Sequence, residues 1–95
     1  VDNVGKLLWL TGRVGRPNVG ALLDIGHAFE AYENPAQSAI LLHQEGRLFH
    51  VHLNDTYGEV DWDMLPGTLR FWETLELVFW LQTLGYDGWC SLDIV

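Results

Sequence analysis

Three short apolar runs, each closing on an acid or an imidazole and separated by helix-length segments, most constrain what this chain folds into. The first, VGALLDIG, is near-continuously apolar until Asp24, the pattern of a strand buried on both faces of a parallel sheet. The second, Leu48–Leu53, is interrupted only by His50 and His52. Strand side chains alternate between faces, so these two histidines share one. The third run, WCSLDIV, carries Asp93 near its end.

Helical signals fill the gaps. Asn34-Pro35 supplies an N-cap and a first-turn proline, and Gly46 supplies a stop. The helix predicted over Pro35–Glu45 places Ala36, Ala39, Ile40 and His43 on one side. A second helix is predicted over Leu69–Leu84, capped by Thr68 and ended by Gly85. Its stripe of Phe71, Leu75, Val78, Phe79 and Gln82, with Leu69 and Trp72 alongside, reads as core. At the front, Val4, Leu7, Leu8 and Leu10 around Trp9 read as the end of a helix within Val1–Gly12. A glycine-marked loop follows over Gly12–Gly20.

Strands alternating with helices give right-handed βαβ units and a parallel sheet. The strands near Ala21–Ile25, Phe49–Leu53 and Cys90–Ile94 are therefore predicted to lie parallel and adjacent in that order. Asp24 with His27, then His52, then Asp93 fall at the carboxyl ends of these strands, where ligands of parallel α/β sheets sit. The long loop Asn54–Gly67 adds Asp61 and Asp63. Two readings apply to these residues. One is a set of half-solvated carboxylates at a strand edge. The other is a divalent cation that compensates them together, since a buried ionised carboxylate costs several kcal/mol when unpaired. A three-stranded parallel sheet also leaves two open edges, and the chain reaches Val95 directly after a strand. Residues 1–95 are accordingly read as one partial domain, the last three strands (strands 6–8) of a (β/α)₈ TIM barrel, which needs about 250 residues when complete.

Composition narrows the partners. Thirteen Asp and Glu against five Lys and Arg, a net charge of −8, argue against a nucleic-acid partner. No run is long and apolar enough for a bilayer, and no signal peptide is visible, so no membrane partner is expected. The single Cys90 excludes an internal disulfide and fits a reducing, cytoplasmic location. Phe71, Trp72, Phe79 and Trp80 ring nearly the whole circumference of one helix. That distribution calls for a second buried face, against a neighbouring barrel helix or another subunit of a homo-oligomer.

Taken together, DIGH (Asp24–His27), HLND (His52–Asp55), the D-x-D of Asp61 and Asp63, and SLDI (Ser91–Ile94) resemble the xylose-isomerase-like barrel superfamily. That group includes metal-dependent sugar isomerases, sugar epimerases and the AP endonucleases of DNA repair. The resemblance implies that Asp24, His52 and Asp93 hold one ion, together with a strand-five Glu that would precede Val1. It implies that His27, Asp61 and Asp63 hold a second ion, with Asp24 bridging both. His50 matches no ligand position and is read as core, one layer deeper on the same face.

The D-x-D, where AP endonucleases carry D-x-H, Asp93, where AP endonucleases and ketose 3-epimerases carry Glu, and Asp24, where the xylose isomerases proper carry Glu, bring the pattern closest to the rhamnose isomerase type, with Asp on strand six, His on strand seven and Asp on strand eight. The implied activity is interconversion of an aldose and a ketose by hydride shift. One ion would fix the open-chain sugar and the other would act as a Lewis acid. Six N and O ligands without a thiolate favour Mn²⁺, with Co²⁺, Mg²⁺ or Zn²⁺ as further fits. The implied partner is a small-molecule sugar. Trp62 either walls its pocket or packs the loop. The alternatives are an AP-endonuclease-type phosphodiesterase, a sugar 3-epimerase and a catalytically inactive barrel fragment.

Overall fold

A computed structural model describes residues 2–58 and 62–94. Helix α1 (Val4–Val14) leads into strand β1 (Ala21–Asp24), the short helix α2 (Ile25–Glu30) and helix α3 (Pro35–Gln44). Strand β2 (Leu48–Leu53), helix α4 (Phe71–Thr83) and strand β3 (Trp89–Leu92) complete the order. Among the described residues the strands form one sheet in the order β1-β2-β3, with both pairings parallel. This is the arrangement the alternating runs predict, and it is consistent with a piece of a TIM barrel. Asp55 and Met64 add an isolated antiparallel bridge that closes the loop after β2 on itself.

The core lies between the sheet and the helices. Leu23 and Val51 from the sheet meet Ile25, Ala28, Ala39, Leu42, Leu77 and Leu81. α3 packs beside α4 and against β1 and β2. As expected, Asn34 caps α3 by accepting from the Gln37 N–H at 3.0 Å, and Pro35 occupies the first turn.

Three local expectations are corrected. α1 runs through Gly12 to Val14, because one mid-helix glycine costs only about 1 kcal/mol; Gly15, at φ 68°, ends it instead. The α4 stripe read as core is turned outward: Phe71, Leu75, Val78 and Phe79 are about half exposed and Trp72 is 74% exposed. Leu77 and Leu81 make the inward contact, four residues apart on the opposite side of the helix. Finally, Thr68 does not cap α4. Its hydroxyl donates to the Leu65 carbonyl, and the two N–H groups entering the helix are received by Asp55.

Candidate metal centre

Asp24 has two tasks at the end of β1. It is the N-cap of α2, its Oδ1 accepting the His27 N–H at 3.1 Å. A carboxylate suits that position because the first turn of a helix leaves its N–H groups unsatisfied. The second carboxylate oxygen faces across the sheet. Register pairs Asp24 with His52 and His52 with Ser91. Asp93 continues the ladder beyond β3 through its N–H to the Leu53 carbonyl at 3.1 Å.

The three side chains converge. His52 Nδ1 lies 3.8 Å from Asp24 Oδ2 and 3.4 Å from Asp93 Oδ2. One ligand atom from each of Asp24, His52 and Asp93 falls within 4.8 Å of the others, and among the described residues this is the one such group of three. Neighbouring ligands on one ion stand about 3.0–3.4 Å apart for bonds near 2.1 Å, so the His52–Asp93 separation fits and the His52–Asp24 separation is a few tenths of an ångström wider. The side chains of Asp24 and His52 are 10% and 26% exposed and that of Asp93 is 48% exposed, so the group is rooted in the sheet and open on one side. Two carboxylates and an imidazole without a thiolate form a donor set for a hard or borderline divalent cation.

His50, expected as core, is half-buried and supports the centre from below. Its Nε2 lies 2.8 Å from Ser91 Oγ, and its ring meets the His52 ring edge-on at 4.9 Å. The shared face of the two histidines, expected from alternation, is realised in this contact.

Among the described residues, none of the other sequence-derived residues joins this group of three. His27 sits exposed on α2 with Nδ1 3.0 Å from Glu30 Oε2, and it lines an open groove with Asp24, Leu22 and Glu33. Asp63 is half-buried in left-handed backbone at φ 48°, a conformation aspartate tolerates better than most residues. Asp61 lies outside the described residues. Trp62 meets Tyr57 edge-to-face at 5.0 Å, a packing contact within the loop.

Two residues of HLND to which sequence reasoning gave no role prove to be fully buried. Asn54 bridges Gly26 and Asp24, and Asp55 anchors the loop to α4. The available signal was their polarity directly after an apolar strand, since buried polar residues require partners.

Three parallel strands joined through helices, with acids and an imidazole gathered at their carboxyl ends, are consistent with a piece of an α/β barrel carrying a candidate metal centre. Residues 2–95 match the family described as xylose isomerase-like TIM barrel, and the chain belongs to that family. Its members include sugar isomerases, epimerases and AP endonucleases, and they often bind divalent metals. No curated protein matches the chain.

Proposed function

We propose that the chain forms strands six to eight of a divalent-metal-dependent sugar isomerase that interconverts an aldose and a ketose. The observation that carries this reading is the convergence of Asp24, His52 and Asp93 at the ends of three adjacent parallel strands. A bound Mn²⁺, Co²⁺, Mg²⁺ or Zn²⁺ would supply Lewis-acid polarisation of the sugar carbonyl. The chain's own residues supply the frame. Asp24 is fixed by its capping bond, and His52 is buttressed by the His50 ring. Asp93 stands at the more exposed side, where a sugar would approach. We assign His27, Asp61 and Asp63 to a second ion, on the resemblance of their spacing to the two-metal isomerases.

Within the family, two features favour the isomerase branch, of rhamnose isomerase type, over DNA repair. The last-strand acid is Asp93 rather than Glu, and the net charge of −8 is a poor match for a phosphate backbone. The proposal includes a cytoplasmic location and a small sugar as substrate. The test is to assay the intact natural polypeptide, supplied with Mn²⁺, on a panel of aldoses and on abasic DNA. Aldose–ketose conversion without strand cleavage supports the isomerase. Cleavage of abasic DNA without sugar conversion would move the protein to the repair branch.

A further inference from the structure

Asn54 follows β2 directly and is completely buried. Its side chain uses both ends. Oδ1 accepts the Gly26 N–H at 2.7 Å, while Nδ2 donates to Asp24 Oδ1 at 3.1 Å and to Oδ2 at 3.3 Å. The amide orientation is fixed by chemistry, since a flipped amide would set its NH₂ against an N–H and its oxygen against a carboxylate. Gly26 lets the amide approach this closely: a Cβ there would stand 2.7 Å from Asn54 Oδ1. Asn54 thereby ties the turn between β1 and α2 to the end of β2. It also leaves the Asp24 carboxylate little freedom to rotate.

We propose that Asn54 is the positioning residue of the candidate metal centre, holding the Asp24 carboxylate so that Oδ2 faces His52 and Asp93. The inference rests on the metal-site reading above and adds to it a residue that touches no ion. Asp24 Oδ1 accepts from the His27 N–H and from Asn54, while Oδ2, which Asn54 Nδ2 also reaches at 3.3 Å, is the oxygen turned toward His52 Nδ1. Without the amide, the carboxylate is held by the capping bond alone and can swing about it. A partner that orients a metal ligand in this way typically changes metal affinity by about 10–100-fold when removed.

The experiment compares the intact natural polypeptide with Asn54→Ser, Gly26→Ala and Leu77→Ala. The first removes the amide and the second displaces it sterically. Leu77→Ala loosens the core at a fully buried residue of α4 outside the site. Two quantities are read: Mn²⁺ affinity by calorimetry, and exchange of the His27 amide proton in the metal-free protein. That proton is held by Asp24 and not by Asn54, so it reports the carboxylate rather than the mutated side chain. Asn54→Ser is expected to weaken Mn²⁺ binding about 10–100-fold and to speed His27 exchange relative to the α3 amides. Gly26→Ala follows it in both and stands in for it if the serine variant does not fold, whereas Leu77→Ala keeps wild-type Mn²⁺ affinity and the wild-type ratio of His27 to α3 exchange. Unchanged His27 exchange in the Asn54 variant overturns the proposal, whatever happens to affinity. So does wild-type Mn²⁺ affinity in that variant when the wild type binds. A wild type that takes no Mn²⁺ removes the metal reading, and the His27 amide then decides the positioning role alone.

Discussion

Asp55 Oδ2 accepts the backbone N–H of Arg70 at 2.9 Å, across a sequence separation of 15 residues. The same oxygen accepts the Leu69 N–H at 2.8 Å, and Oδ1 accepts the Thr56 N–H at 2.8 Å. One fully buried carboxylate thus closes both ends of the loop that carries Trp62 and Asp63, and it places negative charge at the start of α4, where the helix dipole favours it. Asp55→Ala would leave these N–H groups unsatisfied in a buried site. We expect a loss of about 3 kcal/mol in urea unfolding of the intact protein. A loss below about 0.5 kcal/mol, as at ordinary surface sites, would contradict this role.

Leu77 tests which side of α4 is structural. It is completely buried among the core residues, whereas Val78 and Phe79 beside it point outward. Leu77→Ala should destabilise the protein by about 2–5 kcal/mol, the range for cavity-forming substitutions in a packed core. A cost near zero by the same unfolding measurement would return the core to the outer stripe.

The reason for the reversed α4 face lies in its composition. Apolar residues surround the helix, so periodicity does not single out one side, and the larger rings of Phe71, Phe79 and Trp72 outweigh two leucines in apolar surface. The cap failed for a different reason. Local rules look one residue before the helix, but Asp55 reaches α4 from the end of another strand. α2 was hidden because the apolar run continues through Ile25 and Gly26, and only the capping geometry of Asp24 reveals the turn. The strands, their order and α3 were legible because each has a single dominant signal: an unbroken apolar run, or Asn-Pro followed by a stop at glycine. Likewise the gathering of Asp24, His52 and Asp93 followed from strand-end positions, since parallel order sets those ends side by side. The orienting contacts of Asn54 depend on a buried side-chain geometry that spacing does not encode.

Cys90 gives a prediction in pH. Partial desolvation pushes its thiol above the ordinary value, although the residue remains exposed. Tyr86 is raised as well, first by burial and then by the neighbouring Cys90 and Asp87 charges. A folded state that holds these protons more tightly than the unfolded chain keeps that contribution below the ordinary thiol value and loses it as pH rises through the raised one. Stability contributed by this corner should therefore be flat near neutrality and decline in the alkaline range. Because the thiolate is the reactive form, alkylation of Cys90 at pH 8 should be slower in the folded protein than in a short peptide of the same sequence. Equal or faster alkylation in the folded protein would contradict the upward shift.

Asp24→Asn separates the charge of the site from its architecture. Asparagine caps helices about as well as aspartate, so α2 should remain anchored and the unfolding midpoint should stay close to wild type. The variant nevertheless loses an anionic ligand, and Mn²⁺ affinity should fall at least about tenfold. Wild-type Mn²⁺ affinity in this variant, measured by calorimetry alongside the melting curve, would detach Asp24 from the ion.

The most direct measurement is calorimetric titration of the intact protein with Mn²⁺, wild type against His52→Ala. His52 Nδ1 stands between both carboxylates, 3.8 Å from Asp24 and 3.4 Å from Asp93. The account predicts saturable Mn²⁺ binding in the wild type and loss of that binding in His52→Ala. An absence of binding in the wild type, or an isotherm unchanged by the substitution, would contradict the assignment of Asp24, His52 and Asp93 to a divalent cation.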